Sequence, residues 1–218
     1  MKEGITSVSI LKIIVVGNSG TGKTSFVNRW TKNTFSETHK ATITAEFAYK
    51  LYNDDRGKIY KIQLWDLAGQ DKSINITKMF CRDSHGIVVI SDITNKNSLE
   101  ETVHWKKNID ESAKFMDGTD IPAILIENKI DLADKETLKN EKKIKEFCEN
   151  YGYIENFKTS AKTGEHIVEA MDFLIKHIVK KIEIFNGDEI KKRDSSIVLD
   201  YDYFKDDIEK SKKKSTCC

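Results

Sequence analysis

Apolar residues recur along this chain in two rhythms, continuous or alternating over short runs and helically spaced over longer ones. Leu11-Lys12-Ile13-Ile14-Val15-Val16 has the length and β-branched content of a buried strand. After a glycine-rich stretch, Ser25-Phe26-Val27-Asn28-Arg29-Trp30 is apolar at Phe26, Val27 and Trp30, the spacing of a helix. Thr31 to Thr44 is polar around a lone aromatic, Phe35, and a polar loop of that length is commonly functional. Ala45 to Tyr52 and Ile59 to Trp65 alternate apolar and polar, joined by Asn53-Asp54-Asp55-Arg56-Gly57, a hairpin signal. Ile87-Val88-Val89-Ile90 reads as a central parallel strand, followed by a helix from about Ser98 to Phe115. Ile121 to Ile126 is the next strand, Lys135 to Asn150 a charged helix, and Tyr153 to Phe157 a short strand. The last helix spans about Gly164 to Phe185, with Ile167, Ala170, Met171, Leu174, Ile178 and Ile182 on one face.

Strands alternating with helices predict an α/β fold, a mostly parallel six-stranded sheet covered by helices on both faces, with one antiparallel strand from the hairpin. From Asn186 the chain is polar and charged without periodicity. The expected division is therefore a domain over 1–185 and a flexible tail over 186–218. Each polar motif falls at the carboxyl end of a strand, where open α/β sheets bind their ligands, so the motifs can meet in one site.

Composition narrows the partners. Charged residues make up 33% of the chain but balance to +1, which gives no global field for nucleic acid. Arginine is scarce, confined to Arg29, Arg56, Arg82 and Arg193. Met1 to Ser9 lacks the apolar stretch of a signal peptide, and no run reaches the length of a membrane span. The expectation is an intracellular protein, soluble apart from any lipid it carries. Cys81 and Cys148 read as ordinary thiols in a reducing compartment, while Cys217 and Cys218 end the chain. The five histidines show no metal-ligand spacing.

Gly17-Asn18-Ser19-Gly20-Thr21-Gly22-Lys23-Thr24 fits G-x-x-x-x-G-K-[ST], placed between a strand and a helix as a phosphate-binding loop requires. Its glycines let backbone N–H groups converge on phosphate oxygens, and the helix N-terminus adds positive character. Lys23 brings an ammonium to the terminal phosphates, and the Thr24 hydroxyl can ligate Mg²⁺. Asn128-Lys129-Ile130-Asp131 at the end of another strand selects the base. A fixed carboxylate accepts both N1–H and the exocyclic amine of guanine and repels the lone pair that adenine presents there. Ser160-Ala161-Lys162 follows the next strand and completes the pattern.

These motifs, over Leu11 to Phe185 and with the Cys-Cys end, resemble the Rab family of Ras-superfamily small GTPases, a P-loop NTPase fold. The similarity is specific in Ile43-Thr44-Ala45-Glu46-Phe47, in Lys61 to Asp71 and in Asp92-Ile93-Thr94. The resemblance implies the following roles. The loop amides of Ser19, Gly20, Thr21, Gly22, Lys23, Thr24 and Ser25, with the Lys23 ammonium, hold the phosphates of GTP or GDP. Phe35 packs edge-on near the guanine. Thr42 completes a Mg²⁺ shell with Thr24, and its amide senses the γ-phosphate. Asp66 binds Mg²⁺ through water, the Gly69 amide touches the γ-phosphate, and Gln70 orients the attacking water. Asn128 and Lys129 order the site, Asp131 reads the base, and the Ala161 amide, between Ser160 and Lys162, meets the guanine oxygen. Phe47, Trp65 and Phe80 match the family's aromatic triad for effectors.

The sequence departs from the family at Thr44, where Gly is usual, at Leu67, which replaces a Thr, in Asp71-Lys72-Ser73, which lacks an aromatic, and at Phe80-Cys81, which replaces Tyr-Tyr. None removes a catalytic group. The long hairpin and Leu67 look most like the subgroup serving lysosome-related organelles. The implied function is a slow GTP hydrolase acting as a switch in vesicle trafficking. Its implied partners are an exchange factor, an activating protein, effectors and a prenyl-binding carrier. The alternatives are a nucleotide-locked scaffold with little hydrolysis and a P-loop kinase, for which no lid or substrate segment is apparent.

The tail ends Ser211-Lys212-Lys213-Lys214-Ser215-Thr216-Cys217-Cys218. Adjacent cysteines disfavour a disulfide, and no further ligands suggest zinc. The end is similar to doubly geranylgeranylated Rab termini, which implies an anchor on the cytoplasmic face of endosomal, lysosome-related or Golgi-derived membranes, cycling through the cytosol.

Overall fold

The computed structural model describes residues 8–38, 42–69, 74–134 and 136–190. Gln70, the segment Asp71-Lys72-Ser73 and the tail with Lys212 to Lys214, Cys217 and Cys218 lie outside the described residues. The chain runs β1 (Ser9–Val16), α1 (Lys23–Lys32), β2 (Ala45–Asn53), β3 (Ile59–Leu67), α2 (Ile74–Cys81), β4 (Gly86–Asp92) and α3 (Lys96–Ser112). It continues through β5 (Ala123–Asn128), two short 3₁₀ turns (Ile130–Leu132 and Thr137–Lys139), α4 (Glu141–Tyr151), β6 (Glu155–Thr159) and α5 (Ile167–Ile190).

The sheet order is β2-β3-β1-β4-β5-β6. β2 pairs antiparallel with β3, from Ala45 opposite Leu67 to Asn53 opposite Ile59, and every other pairing is parallel. The expected fold class is the observed one. Side chains alternate across the sheet as a two-residue period requires. Ile13, Val15, Leu64, Val88 and Ile126 bury against Phe26 and Trp30 of α1 and Met171, Leu174 and Ile178 of α5. Ile14, Val16, Ile87, Val89 and Leu125 bury on the other face against Trp105 and Ile109 of α3 and Ile144 and Cys148 of α4. Both faces of β1, β4 and β5 are therefore dry, which holds their carboxyl ends rigid.

Several elements differ from the sequence expectation. α2 was not anticipated, because Ile74-Asn75-Ile76-Thr77 has the β-branched content of a strand. α3 stops at Ser112: Ala113 is extended, and Phe115 turns back into the core with its amide on the Thr119 carbonyl. α4 begins at Glu141 and not near residue 135, because the chain after the base-reading motif is taken up by the two 3₁₀ turns. β6 begins at Glu155, since Tyr153 packs inward with its hydroxyl on the Thr102 carbonyl at 3.0 Å. α5 continues to Ile190, past the expected end at Phe185, through Gly187, whose low helix propensity is a cost of only about 1 kcal/mol.

Candidate functional site

The carboxyl ends of β1, β3, β5 and β6 open into one cleft of about 640 Å³. Its walls include Ser19, Gly20, Gly22, Lys23, Thr24, Ser25, Phe35, Thr42, Gly69, Asn128, Lys129, Asp131, Ala161 and Lys162. Thr21, Asp66 and Ser160 are buried directly behind them. The structure thus gathers every described residue that the sequence proposed for the site.

At the phosphate-loop end, Gly22 caps α1 with φ +91°, a left-handed conformation that favours glycine. A Cβ there would also collide with Asn128 Nδ2. Gly69 is close-packed in the same way: a Cβ would lie 2.5 Å from the Asn18 carbonyl carbon and 2.6 Å from Lys23 Nζ. The turn after β3 and the phosphate loop therefore approach too closely for any side chain at residue 69. Lys23 is buried, and its Nζ donates to the Asn18 carbonyl at 2.9 Å. Burial lowers its pKa, partly offset by the Asp66 charge. An ammonium held out of water in this way gains strongly from an anionic ligand.

Three oxygens meet beside it. Thr24 Oγ1 lies 3.1 Å from Thr42 Oγ1 and donates to Asp66 Oδ2. Asp66 Oδ1 is buried without a hydrogen-bond partner. Burial pushes the Asp66 carboxyl up to about 6, although the Thr24 hydroxyl and Lys23 draw it down. Two hydroxyls and a carboxylate with an orphaned oxygen form a hard donor set of the kind that suits Mg²⁺.

At the other end Asn128 is the hub. Its Nδ2 donates to the Thr21 carbonyl at 2.9 Å, and its Oδ1 accepts from Thr159 Oγ1 at 3.3 Å and from the Ala161 amide at 3.1 Å. The Ala161 amide, expected at a guanine oxygen, is thus directed at Asn128 in this structure. Lys129 adopts a left-handed backbone (φ 72°), and its ammonium pairs with Asp92 at 2.6 Å. Burial alone would raise Asp92, but hydrogen bonds from Lys129 and Thr94 bring its carboxyl below the ordinary value. Asp131 is exposed to the cleft, and its Oδ1 accepts from the buried Ser160 hydroxyl at 2.6 Å.

Three contributors went unassigned in the sequence. Asn18 receives Lys23 on its carbonyl and the Trp105 indole N–H on its side chain at 3.0 Å. Asp92, seen only as part of a family pattern, holds Lys129. Arg29 on α1 bonds to the Ala161 and Lys162 carbonyls. Among the described residues no arginine lines the cleft. Outside it, Phe47 packs edge-on to Trp65 at 5.3 Å, and Trp65 meets Phe80 at 5.8 Å. Phe47, Tyr49, Leu51 and Met79 are each at least half exposed. Cys81 and Cys148 are buried free thiols, pushed up to about 12 by burial, and so unreactive.

The sequence model of the Ras family matches residues 12–180. The chain is 34% identical over 213 residues to Ras-related protein Rab-32 of Sus scrofa, an overlap of 98% of this chain and 90% of that one. It is 37% identical over 172 residues to Ras-related protein Rab-32A of Dictyostelium discoideum, covering 78% of each. It is also 32% identical over 171 residues to Ras-related protein Rab-7L1 of Homo sapiens, covering 78% of this chain and 83% of the relative.

Proposed function

From the premise that this chain belongs to the Ras family, among its Rab members, we propose that it is a GTP/GDP switch that regulates membrane traffic by binding effectors. The carrying observation is the convergence, in one cleft, of the buried Lys23 ammonium, the Thr24–Thr42–Asp66 oxygens and the exposed Asp131 carboxylate. Lys23 and the loop amides from Ser19 to Ser25 bind the phosphates. Thr24, Thr42 and Asp66 would hold Mg²⁺, which supplies charge neutralisation at the terminal phosphates. Asp131, oriented by Ser160, accepts the guanine donors, and Phe35 covers the base edge. Thr42 and Gly69 tether the two flanking loops when a γ-phosphate is present and release them after hydrolysis. Gln70 orients the water.

Unaided turnover should be slow, on the order of 10⁻⁴ s⁻¹ as for Ras. Arg29 is committed to the Ala161 loop, Arg56 to Asp54 and Glu183, and Arg82 pairs with Asp83; with no arginine among the described residues lining the cleft, an activating protein is expected to supply one. The sequence departures around Leu67, Asp71-Lys72-Ser73 and Phe80-Cys81 keep the nucleotide-locked scaffold as the second reading. The domain is assigned to the chain through the end of α5 at Ile190, five residues past the expected boundary at 185, and the tail, with lipids on Cys217 and Cys218, to the remainder; a soluble prenyl-binding carrier would return the protein to cytosol. Its site of action is the cytoplasmic face of an endosomal, lysosome-related or Golgi-derived membrane.

Nucleotide content of the purified protein and single-turnover hydrolysis test this function. The switch predicts bound guanine nucleotide and a measurable rate that Gln70→Leu slows at nearly unchanged GTP affinity. Bound GTP with equal, negligible rates for both proteins would favour the scaffold.

A further inference from the structure

Arg29 leaves α1 on its partly buried side and spends its whole guanidinium on backbone and side-chain oxygens. Nε donates to the Ala161 carbonyl at 2.9 Å and Nη2 to the Lys162 carbonyl at 2.6 Å. Nη1 donates to both the carbonyl and Oδ1 of Asn33 at 3.1 Å. Asn33 is the left-handed residue (φ 53°) that ends α1 and starts the polar loop over Thr34 to Thr38 along the cleft. The far side of that loop is tied to the same place, since Glu37 pairs with Lys162 at 3.3 Å. A carbonyl-binding fork of this shape cannot be replaced by an ammonium, which offers no fixed plane.

We infer that Arg29 is a positioning residue that sets how long guanine nucleotide stays bound, by clamping the Ser160-Ala161-Lys162 loop to α1. The inference rests on the nucleotide reading of the cleft. The chain of contacts is short: Arg29 fixes the Ala161 and Lys162 carbonyls, and the adjoining Ser160 hydroxyl donates to Asp131 Oδ1 at 2.6 Å. α1 carries Lys23 and Thr24 at its other end, so one helix registers the base-reading carboxylate against the phosphate site. A loosened loop lets Asp131 turn away from the base while leaving the phosphate contacts intact.

The test is release of fluorescent GDP and of fluorescent IDP, whose base lacks the exocyclic amine that would donate to Asp131. In Arg29→Gln, GDP release should be about tenfold faster, the effect of roughly one lost charge-assisted hydrogen bond. IDP release should change less, because the variant misplaces a carboxylate with less to hold on that base. Arg29→Lys keeps the charge without the fork and should give about a threefold rise with the same preference, which serves if Arg29→Gln does not fold. GDP and IDP accelerated equally would assign Arg29 a merely structural role, and rates equal to the parent's would remove any role; either overturns the clamp. A parent that retains no guanine nucleotide would overturn the cleft's nucleotide reading itself, and the clamp with it.

Discussion

With 1% of its surface exposed, Asp66 loses most of its hydration, and its carboxyl is pushed up to about 6 although Thr24 and Lys23 both oppose the shift. The folded state then binds a proton that the unfolded chain, near its ordinary value of 3.8, has already released. Without metal, stability should therefore fall as pH rises from about 4 to above 6, by up to about 3 kcal/mol from this one group. Asp66→Asn should cancel that slope in EDTA and also abolish the extra stability that Mg²⁺ gives the parent at pH 7.5. Thermal unfolding of both proteins across the range checks it; parallel curves would show that Asp66 stays ionised in the fold. Asp131 supports a second expectation. Asp131→Asn should exchange guanine for xanthine preference, because an amide can donate to a xanthine carbonyl, by a few kcal/mol in competition binding. A parent that prefers ATP would end the base-reading role. Lys23, Thr24 and Asp131 were legible because each sits in a short motif at a strand end. Arg29, Asn18 and Asp92 were not, because their partners Ala161, Trp105 and Lys129 lie far along the chain and no local pattern marks the pairing.

The strands were legible to within two or three residues at most ends, because β4 and β5 are buried on both faces and β2 and β3 alternate. Helices were harder wherever a cap or a tertiary contact sets the boundary. Asn95 caps α3 by accepting from the Asn97 amide, which fixes its start two residues before the expected Ser98. α2 carries strand-like residues, yet Cys81 buries against the sheet and Phe80 packs on Trp65, so packing overrides propensity. The junction of the phosphate loop with α1 is where element geometry and site chemistry coincide. Gly22→Ala would demand φ +91° of an L residue and push its methyl into Asn128 Nδ2. Strain of about 1–3 kcal/mol should appear as a lowered melting temperature. Loss of the Asn128–Thr21 bond should weaken nucleotide binding beyond that. Gly20→Ala is the control, since a Cβ there meets nothing within 4 Å, although its φ of +81° is strained as well. Equal nucleotide affinity in the two variants would show that the Asn128 contact does not transmit to the site.

Across the whole molecule, the sheet fixes the cleft, while the hairpin tip is tied to α5, the last described element. Arg56 bridges Asp54 and Glu183, and Lys176 pairs with Asp55 at 3.0 Å. The two pairs that reach α5, Arg56–Glu183 and Lys176–Asp55, are exposed and contribute little stability singly, so nothing in them obliges the tail to influence the cleft. No helix among the described residues is long and apolar enough to cross a membrane. Residues 191–218, read as the flexible chain their composition predicts, would span about 30 Å and leave the GTPase domain free to meet partners above a bilayer. One lipid chain anchors only marginally, at about 0.8 kcal/mol per buried methylene, so lipids on both adjacent cysteines, beside Lys212, Lys213 and Lys214, would supply what the proposed attachment requires. Each lysine near an anionic surface adds about 1 kcal/mol. Cys217→Ser/Cys218→Ser is thus expected to be wholly cytosolic while binding and hydrolysing GTP like the parent. Replacing the three lysines alone should weaken membrane retention without abolishing it, and more so at low salt, where surface charge is least screened. Cell fractionation with parallel nucleotide assays reads both outcomes: a double cysteine variant that still pellets with membranes removes the lipid anchor from the account, and one that loses GTP binding shows that tail and cleft are coupled after all.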